Sequence, residues 1–359
     1  MSILDRDARH VWHPFTQAQT APPPIAVSHG RGAVLVGEDG REYIDLISSW
    51  WVTLHGHAHP AIADAIADQA HKLEQVVFAG FTHEPAVRLA ERLSALLPGD
   101  LGRVFFSDDG STAVEVALKL AHQYWLNTGQ KRTRFLAFEG GYHGDTVGAM
   151  SAGASSGFFD VFADYLFKVD TIAFPETWTG DAETEEKEAA SLAALESYLD
   201  RYGRETCALI VEPLVQGASG IRMCRPEFLR AVEKILKEAG VLLIFDEVMT
   251  GFGRTGDLFA CLKAGVTPDL ICLSKGLTGG FLPLSVTICR DALYDAFLDE
   301  SFEKAFAHGH SFTANSLGCA ASLASLDLLV HEDCARQRAE IEAAHKKGLE
   351  SLATHPKLA

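Results

Sequence analysis

Two short apolar runs, each followed by a charged residue, constrain the fold of this chain most. Residues 242–245 (LLIF) are followed by Asp246, and residues 270–273 (LICL) are followed by Ser274 and Lys275. A short apolar run bounded by polar residues is typical of a buried strand in a parallel sheet. Because the carboxyl ends of neighbouring strands open into a common crevice, the sequence predicts a site that contains one acid and one lysine.

Strand-like runs alternate with helical periodicity along the rest of the chain. Strands are predicted at 104–107, 135–138, 208–211, 242–245, 270–273 and 284–288, and helices at 61–73, 84–97, 113–126, 189–202 and 316–329. This alternation predicts an α/β fold whose mostly parallel sheet is sandwiched by helices. Near the start, residues 33–36 and 43–46 flank a Gly-Glu-Asp-Gly turn and predict a β-hairpin. The acidic run 181–188 is predicted to be a surface loop.

The composition limits the possible partners. The chain is 47% hydrophobic and 22% charged, which indicates a globular protein, and 48 acidic against 31 basic residues give a net charge of -17. Such a charge argues against nucleic acid and anionic membranes and favours small-molecule chemistry. No apolar run approaches the roughly 20 residues that span a bilayer, and the first residues carry no apolar signal segment. The sequence therefore predicts a cytoplasmic protein.

Cysteine and histidine spacing gives no support for a metal site. The seven cysteines are scattered without a C-x-x-C pair, which predicts reduced thiols. His55, His57 and His59 alternate and could line one face of a strand, as a metal would require. Since neither a carboxylate nor a cysteine accompanies them locally, no metal is predicted.

Two turns that follow strands offer features of a ligand site. Gly110, Ser111 and Thr112 open a helix, whose unpaired N–H groups and hydroxyls suit a phosphate. The alternative is an ordinary helix cap, which also favours Ser and Thr. Tyr142 lies in a glycine-rich turn and could stack on a planar ligand, or simply pack.

Lys275 completes a set of four chemical functions. A lysine in an apolar, glycine-rich setting loses proton affinity and becomes a usable amine nucleophile, although it could instead only pair with a carboxylate. A phosphate cradle, a stacking ring, an acid for a pyridine nitrogen and a lysine for an aldehyde are what pyridoxal 5'-phosphate (PLP) requires.

Spaced motifs between about residues 12 and 329 resemble the class III, subgroup II aminotransferases of fold type I. The motifs are DEVMTGFGRTG (246–256), LSKGLTGG (273–280), WHPFTQ (12–17), SSWW (48–51), GYHGDT (141–146) and HGHSFTAN (308–315). The resemblance implies a fold type I PLP-dependent transferase. It makes Lys275 the residue that binds the cofactor covalently, Asp246 the partner of the pyridine nitrogen and Tyr142 the residue against the ring, all three being implied catalytic residues.

The resemblance also implies further contacts. Gly110 and Ser111 would bind the phosphate and Gln216 would lie near the phenolic oxygen. In an implied homodimer with shared active sites, loop 308–313 would reach the neighbouring subunit's phosphate through Ser311. The tryptophans, which the residues alone indicate as core, become part of an implied substrate pocket made of Phe15, Trp50, Trp51, Arg254 and Gly309.

The implied reaction moves an amino group from S-adenosylmethionine to 8-amino-7-oxononanoate, giving the 7,8-diaminononanoate of biotin synthesis. Phe15 stands where many relatives have Tyr, which leaves lysine open as the amino donor. An ω-amino acid or acetylornithine-type transaminase is a second alternative.

The domain prediction has three parts. Residues 1–58 are an N-terminal segment of a small domain, 59–329 form the large PLP-binding domain, and 330–359 begin a C-terminal domain. The resemblance implies that this last domain is truncated, because the family continues into a segment with a carboxylate-binding arginine. A PLP-binding remnant without turnover is therefore a further alternative.

Overall fold

A computed structural model describes residues 1–352. Its strands are β1 (Val27–Arg31), β2 (Val34–Gly37), β3 (Glu42–Ile44), β4 (Leu101–Ser107), β5 (Arg134–Phe138), β6 (Asp170–Ile172), β7 (Thr206–Val211), β8 (Val215–Gln216), β9 (Arg222–Met223), β10 (Leu242–Asp246), β11 (Leu270–Leu273) and β12 (Ser285–Arg290). Its α-helices are α1 (Ile3–His10), α2 (Ser48–Trp51), α3 (Pro60–Ala70), α4 (Glu84–Leu96), α5 (Gly110–Asn127), α6 (Val147–Ala152), α7 (Thr184–Tyr202), α8 (Pro226–Ala239), α9 (Ala260–Ala264), α10 (Asp291–Asp295), α11 (Ser316–Val330) and α12 (Glu332–Leu352).

The main sheet has seven strands in the order β4-β12-β11-β10-β7-β5-β6. Strands β11, β10, β7, β5 and β6 pair in parallel, whereas β12 is antiparallel to both β11 and β4. Residues 274–284, which connect β11 to β12, are too few for the helical crossover that a parallel pair needs. The prediction of an α/β fold with a mostly parallel sheet is confirmed, and β12 is the strand that runs the opposite way.

Apolar side chains cover both faces of this sheet. In β7, Leu209 and Val211 belong to one core cluster, while Ala208 and Ile210 belong to a second cluster on the other face. Alternation along a strand sends successive side chains to opposite faces, so both layers of helices bury apolar surface against the same strands. The carboxyl ends of these strands are therefore held in a rigid frame.

A small antiparallel sheet precedes the main one. Strand β2 pairs with β3, which confirms the hairpin, and β1 adds a strand that the sequence did not predict. Gly40 occupies the turn with φ 79°, a conformation that glycine adopts without steric cost. Helix α1 was also not predicted; its N-cap is Ser2, whose hydroxyl accepts from the N–H of Asp5.

The predicted acidic loop is partly helical. Helix α7 begins at Thr184, so the second half of run 181–188 forms its first turns, with Glu185 and Glu186 near the positive end of the helix dipole. The predicted domain boundaries stay a prediction, although the seven-stranded sheet lies entirely within 59–329. Residues 353–359 of the predicted C-terminal domain lie outside the described residues. None of the helices described in 1–352 is long and apolar enough to cross a membrane.

Candidate active site

A cavity of about 670 Å³ opens where β10 and β11 end. Six of the residues singled out in the sequence line it together: Trp51, Gly110, Ser111, Tyr142, Asp246 and Lys275. Asp246 on β10 is paired with Cys272 on β11, and Lys275 lies three residues after Cys272. The expected placement of an acid and a lysine at neighbouring strand ends is confirmed.

Asp246 is held by a buried histidine. Nδ1 of His143 lies 2.7 Å from Oδ2 of Asp246, and the N–H of Val248 donates to Oδ1 at 3.1 Å. Burial opposes a charge on His143, but the hydrogen bond to Asp246 and the charges of Asp246 and Glu212 together outweigh burial and raise the pKa of this histidine. These two hydrogen bonds hold the carboxylate of Asp246 in one orientation in the wall of the cavity.

Lys275 is tuned toward its neutral form. Burial lowers its pKa below 10.5, and Arg254 adds to the decrease, while Asp246 and Glu212 oppose it. The residue has φ 45°, in the left-handed region that residues other than glycine rarely adopt. Such strain at a functional position is maintained by the surrounding structure.

The first turn of α5, where the sequence predicts a phosphate site, lines the cavity. Its N-cap, Asp109, satisfies the N–H of Thr112 at 2.9 Å and leaves the earlier N–H groups for a ligand. The hydroxyl of Ser111 contacts that of Thr146 at 2.7 Å. A Cβ at Gly110 would lie 2.5 Å from Val248, so only glycine allows the helix to begin this close to the strand β10 turn.

Tyr142 is fixed at the wall by its backbone and its hydroxyl. The hydroxyl donates to Asp145 at 3.0 Å, and the backbone N–H donates to Glu212 at 3.0 Å. Its ring lies 5.9 Å from that of Phe159, with 22° between the planes. This stacking leaves the ring in the cavity lining with a defined orientation.

Glu212 and His143 contribute to the site through contacts that the sequence alone did not predict. Glu212 directly follows strand β7; burial raises its pKa to about 7, and it also accepts from the N–H of Gly217 at 3.0 Å. His143 was missed as the partner of Asp246. Its only sequence signal is its place beside Tyr142 in a glycine-rich turn.

Gln216 has one end of its amide available. Its Nε2 donates to the carbonyl of Glu139 at 3.1 Å. Its Oε1 is buried and has no hydrogen-bond partner among the residues described. Buried polar atoms are normally paired. Gln216 is not among the residues that line the cavity, so its implied place near the phenolic oxygen stays a prediction.

The implied substrate residues are only partly assembled. The ring of Trp51 lies 5.5 Å from Nζ of Lys275, and its carbonyl accepts from Nη2 of Arg254 at 2.9 Å. Trp50 and Phe15 meet edge to face at 5.7 Å, outside the cavity lining.

Loop 308–313 does not enter this chain's cavity. Gly309 and Ser311 are exposed, and the carbonyl of Ser311 accepts from Nε2 of Gln75 at 2.7 Å. His310 lies 3.1 Å from Asp108, which does line the cavity. The structure thus places the loop at the cavity's rim rather than inside it.

The three alternating histidines have separate partners. Nε2 of His57 lies 3.0 Å from Asp45, a carboxylate that the local sequence did not suggest, and His55 contacts Ser325 at 3.1 Å. Burial, followed by the proximity of His59, lowers the pKa of His55 to about 4. Within residues 1–352, no group of three or more ligating side chains could hold a metal ion.

The donors in this cavity fit PLP. A helix start with glycine and serine suits the phosphate, and the carboxyl group of Asp246 suits a ring nitrogen. Lys275 offers an amine whose pKa is lowered by burial, and Oε1 of Gln216 is a buried acceptor without a partner among the described residues. The residues of the cavity that would hold the cofactor are Gly110, Ser111, Asp246 and Lys275, whereas the contact implied for Gln216 stays a prediction.

Comparisons with known proteins agree with this reading. The family description "Aminotransferase class-III" matches residues 15–358. A Synechococcus elongatus relative named adenosylmethionine-8-amino-7-oxononanoate aminotransferase is 58% identical over 97% of this chain and 81% of its own length. The crystal structure of the Methanocaldococcus jannaschii protein of that name has a TM-score of 0.87 and 37% identity, covering 95% of this chain and 78% of that one.

An amine transaminase from an uncultivated Pseudomonas species, solved in a PLP-bound form, has a TM-score of 0.88 and 32% identity and covers 96% of this chain and 80% of that one. Family, fold and site chemistry agree. The chain belongs to the class III aminotransferases, which are PLP-dependent transaminases of fold type I.

Proposed function

We propose that this chain transfers an amino group from S-adenosylmethionine to 8-amino-7-oxononanoate and so forms the 7,8-diaminononanoate of biotin synthesis. The observation that carries the proposal is 58% identity across 97% of the chain to a relative named for these two substrates. The cavity supports it with an acid, a lysine and an aromatic wall in one place.

Each cofactor-binding residue has a distinct task. Bound PLP supplies an aldehyde for covalent attachment and a ring that takes up electrons from the substrate's reacting carbon. Gly110 and Ser111 bind the phosphate through the start of α5. Asp246, supported by His143, would pair with the ring nitrogen, and Tyr142 would lie against the ring.

Lys275 acts twice. Its amine would hold the cofactor covalently before the substrate's amine binds. Nζ then accepts the proton from the carbon that bears that amine, for which it must be neutral. Burial, by lowering the pKa of Lys275, makes the neutral form more abundant near neutral pH.

The aromatic residues form the substrate wall. Trp51 closes the cavity next to Lys275, and Arg254 braces the carbonyl of Trp51. Trp50 and Phe15 extend the wall outward, where aromatic faces attract a cation such as a sulfonium. Lysine remains the second candidate donor, because Phe15 has no hydroxyl and lysine also carries a cation that these faces would attract.

The donor test separates these reactions. Purified protein with PLP is mixed with S-adenosylmethionine or lysine under single-turnover conditions, and the cofactor's absorbance is followed. Addition of 8-amino-7-oxononanoate should then yield 7,8-diaminononanoate by mass spectrometry. If lysine but not S-adenosylmethionine converts the cofactor, lysine is the amino donor. Conversion only by ornithine or 4-aminobutyrate would replace the proposed reaction with an ω-type one, and no conversion by any donor would support a remnant without turnover.

We also propose a homodimer in which loop 308–313 completes the neighbouring subunit's site through Ser311 and Gly309. Phe312 in this loop is 61% exposed, and the hydrogen bond from Gln75 joins the loop to a segment with Val77 at 59% and Phe81 at 61% exposure. Apolar residues exposed together mark an interaction surface.

Light scattering checks the assembly. Wild-type protein should be a dimer, whereas Phe312→Asp should dissociate and bind PLP more weakly. Val161→Asp, also at an exposed apolar position, should remain dimeric. A dimeric Phe312→Asp variant with unchanged PLP affinity would contradict this interface.

Cytoplasmic location is the last part of the proposal. All seven cysteines are free thiols, and six of them are buried. Reduced cysteines suit a reducing compartment. Cell fractionation with an antibody against the chain would test this location.

A further inference from the structure

A strained turn carries the two tryptophans of the substrate wall. Ser48, Ser49, Trp50 and Trp51 have φ values of 48°, 48°, 63° and 64°. These are left-handed helical values, and four such residues in succession without a glycine are rare because each Cβ crowds its own backbone. Two hydrogen bonds close the turn, from the N–H of Trp51 to the carbonyl of Ile47 and from that of Val52 to the carbonyl of Ser48, both at 2.9 Å.

One carboxylate binds the turn from outside it. Oδ1 of Asp45 accepts from the N–H of Ser49 at 3.0 Å, and Oδ2 accepts from the Ser49 hydroxyl at 2.8 Å. Nε2 of His57 also donates to Oδ2, at 3.0 Å. The side chains of Asp45 and His57 are only 7% and 17% exposed. Burial alone would raise the pKa of Asp45, but the hydrogen bonds from Ser49 and His57 hold it below its usual range.

Asp45 and His57, which together form a clamp on the turn, are themselves held by the small sheet. The N–H of Asp45 donates to the carbonyl of Ala33 at 2.9 Å, and that of His57 donates to the carbonyl of Gly32 at 2.7 Å. A Cβ at Gly30 would lie 2.8 Å from that of His57, and a Cβ at Gly56 would lie 2.9 Å from the Cα of Gly32. The backbones approach closely here because glycines occupy these places, so the clamp has a rigid base.

The turn connects directly to the reacting region. The carbonyl of Trp51 receives the hydrogen bond from Arg254, and the Trp51 ring faces Lys275. A Cβ at Gly280 would lie 2.8 Å from the carbonyl oxygen of Val52. Any relaxation of the turn to right-handed values would therefore move the wall and the partner of Arg254.

We propose that Asp45, supported by His57, is a positioning residue: it holds the turn 48–51 in its left-handed form and so sets the aromatic wall and Arg254 for substrate binding. This inference rests on the proposed function in so far as the wall contacts the substrate. Asp45 does not line the cavity, so it acts through Ser49 and the two tryptophans.

Removing the carboxylate should affect substrate more than cofactor. In Asp45→Ala, we expect KM for the donor that wild type uses to rise about tenfold, with PLP affinity changed less than about twofold. Asp39→Ala is the matched control, because Asp39 lies in the same hairpin and its carboxylate accepts from the N–H of Arg41. This control should leave both quantities unchanged.

A second substitution distinguishes positioning from general stabilisation. Glycine adopts left-handed values without steric cost, so adding Ser49→Gly to Asp45→Ala should restore KM to within about threefold of wild type. Ser49→Ala in the same background removes the same hydroxyl but keeps the Cβ, and should not restore it. If Asp45→Ala does not fold, Asp45→Asn takes its place with the same two Ser49 substitutions.

A readout without turnover separates this inference from the proposed reaction. The near-ultraviolet circular dichroism signal of Trp51 is identified by its loss in Trp51→Phe. This signal should be lost in Asp45→Ala and should return when Ser49→Gly is added. These spectra decide the positioning role even if wild type uses neither S-adenosylmethionine nor lysine. Three results would overturn the positioning role. The first is equal recovery by Ser49→Gly and Ser49→Ala, and the second is an unchanged KM and spectrum in Asp45→Ala. The third is an Asp45→Ala variant in which KM rises while kcat and PLP affinity both fall.

Discussion

Nδ1 of His143 donates to Oδ2 of Asp246 at 2.7 Å, and the two side chains are only 1% and 4% exposed. This bond joins the glycine-rich turn after β5 to the end of β10, two elements that are far apart in sequence. It therefore orients the acid at the centre of the site from a neighbouring element.

His143→Ala should weaken PLP binding and lower kcat. A hydrogen bond to a charged group contributes about 1.5–3 kcal/mol, which corresponds to roughly 10- to 100-fold. His143→Asn, which keeps a donor near the position of Nδ1, should lose less. Cofactor titration and steady-state kinetics check both variants; equal losses would mean that the imidazolium charge, not the hydrogen bond, orients Asp246.

The amine of Lys275 should react with aldehydes at a lower pH than an ordinary lysine. Burial lowers the pKa of this group below 10.5, and the charge of Arg254 lowers it further. In Arg254→Gln the midpoint of reductive labelling in cofactor-free protein should therefore move upward. Mass spectrometry reads the label, and Lys275→Ala is the control that should lose it. If the midpoint is the same in Arg254→Gln as in wild type, the charge of Arg254 does not lower the pKa of Lys275.

Gly110→Ala should disturb the phosphate site through a steric clash. The new Cβ would lie 2.5 Å from Val248, and overpacking of this kind costs about 1–3 kcal/mol. We expect PLP affinity to fall about tenfold, which corresponds to the lower half of that range. Adding Val248→Ala makes room and should recover most of the loss. Failure of this rescue would indicate that the glycine is needed for its backbone and not for space.

Glu247 should make stability depend on pH. Its carboxylate is fully buried, caps α9 through the N–H groups of Ala260 and Cys261, and has its pKa raised by burial to about 7. Since the folded pKa lies above the unfolded value of 4.5, its favourable contribution is complete below about pH 4.5 and is lost as pH rises through about 7.

By this linkage Glu247 alone accounts for a decrease of about 3 kcal/mol in the free energy of unfolding over that range. Glu247→Gln should flatten the curve measured by guanidinium unfolding between pH 4.5 and 8. The exposed Glu186→Gln should leave the slope unchanged. A slope in Glu247→Gln equal to that of wild type would contradict the assignment.

Much of the frame could be predicted from sequence because it follows from local patterns. Apolar runs that end in Asp246 and Lys275 reflect strands buried on both faces, and the register of β10 with β11 bears this out. Helical periodicity similarly anticipated α4, α5 and α11 to within a few residues. The roles assigned to Gln216 and Ser311 stay predictions, since their cofactor contacts depend on a ligand and a partner.

Other features depend on contacts between distant segments. The left-handed turn 48–51 contains no glycine, so nothing in its sequence indicates its backbone. Asp45 finds His57 only through the small sheet, and His143 finds Asp246 only through the main one. The antiparallel direction of β12 follows from the short connection 274–284, a constraint that alternation alone does not contain.

The strand order also has a consequence for the order of synthesis. Strand β4, which leads into the predicted phosphate-binding turn, lies at the sheet's edge and pairs with β12. A ribosome must therefore translate as far as Arg290 before β4 can pair with the whole of β12. The end of the site where a phosphate is predicted is consequently completed late, after β7, which precedes Glu212, and β10, which ends in Asp246. A nascent chain stalled before Ser285 should consequently fail to retain PLP.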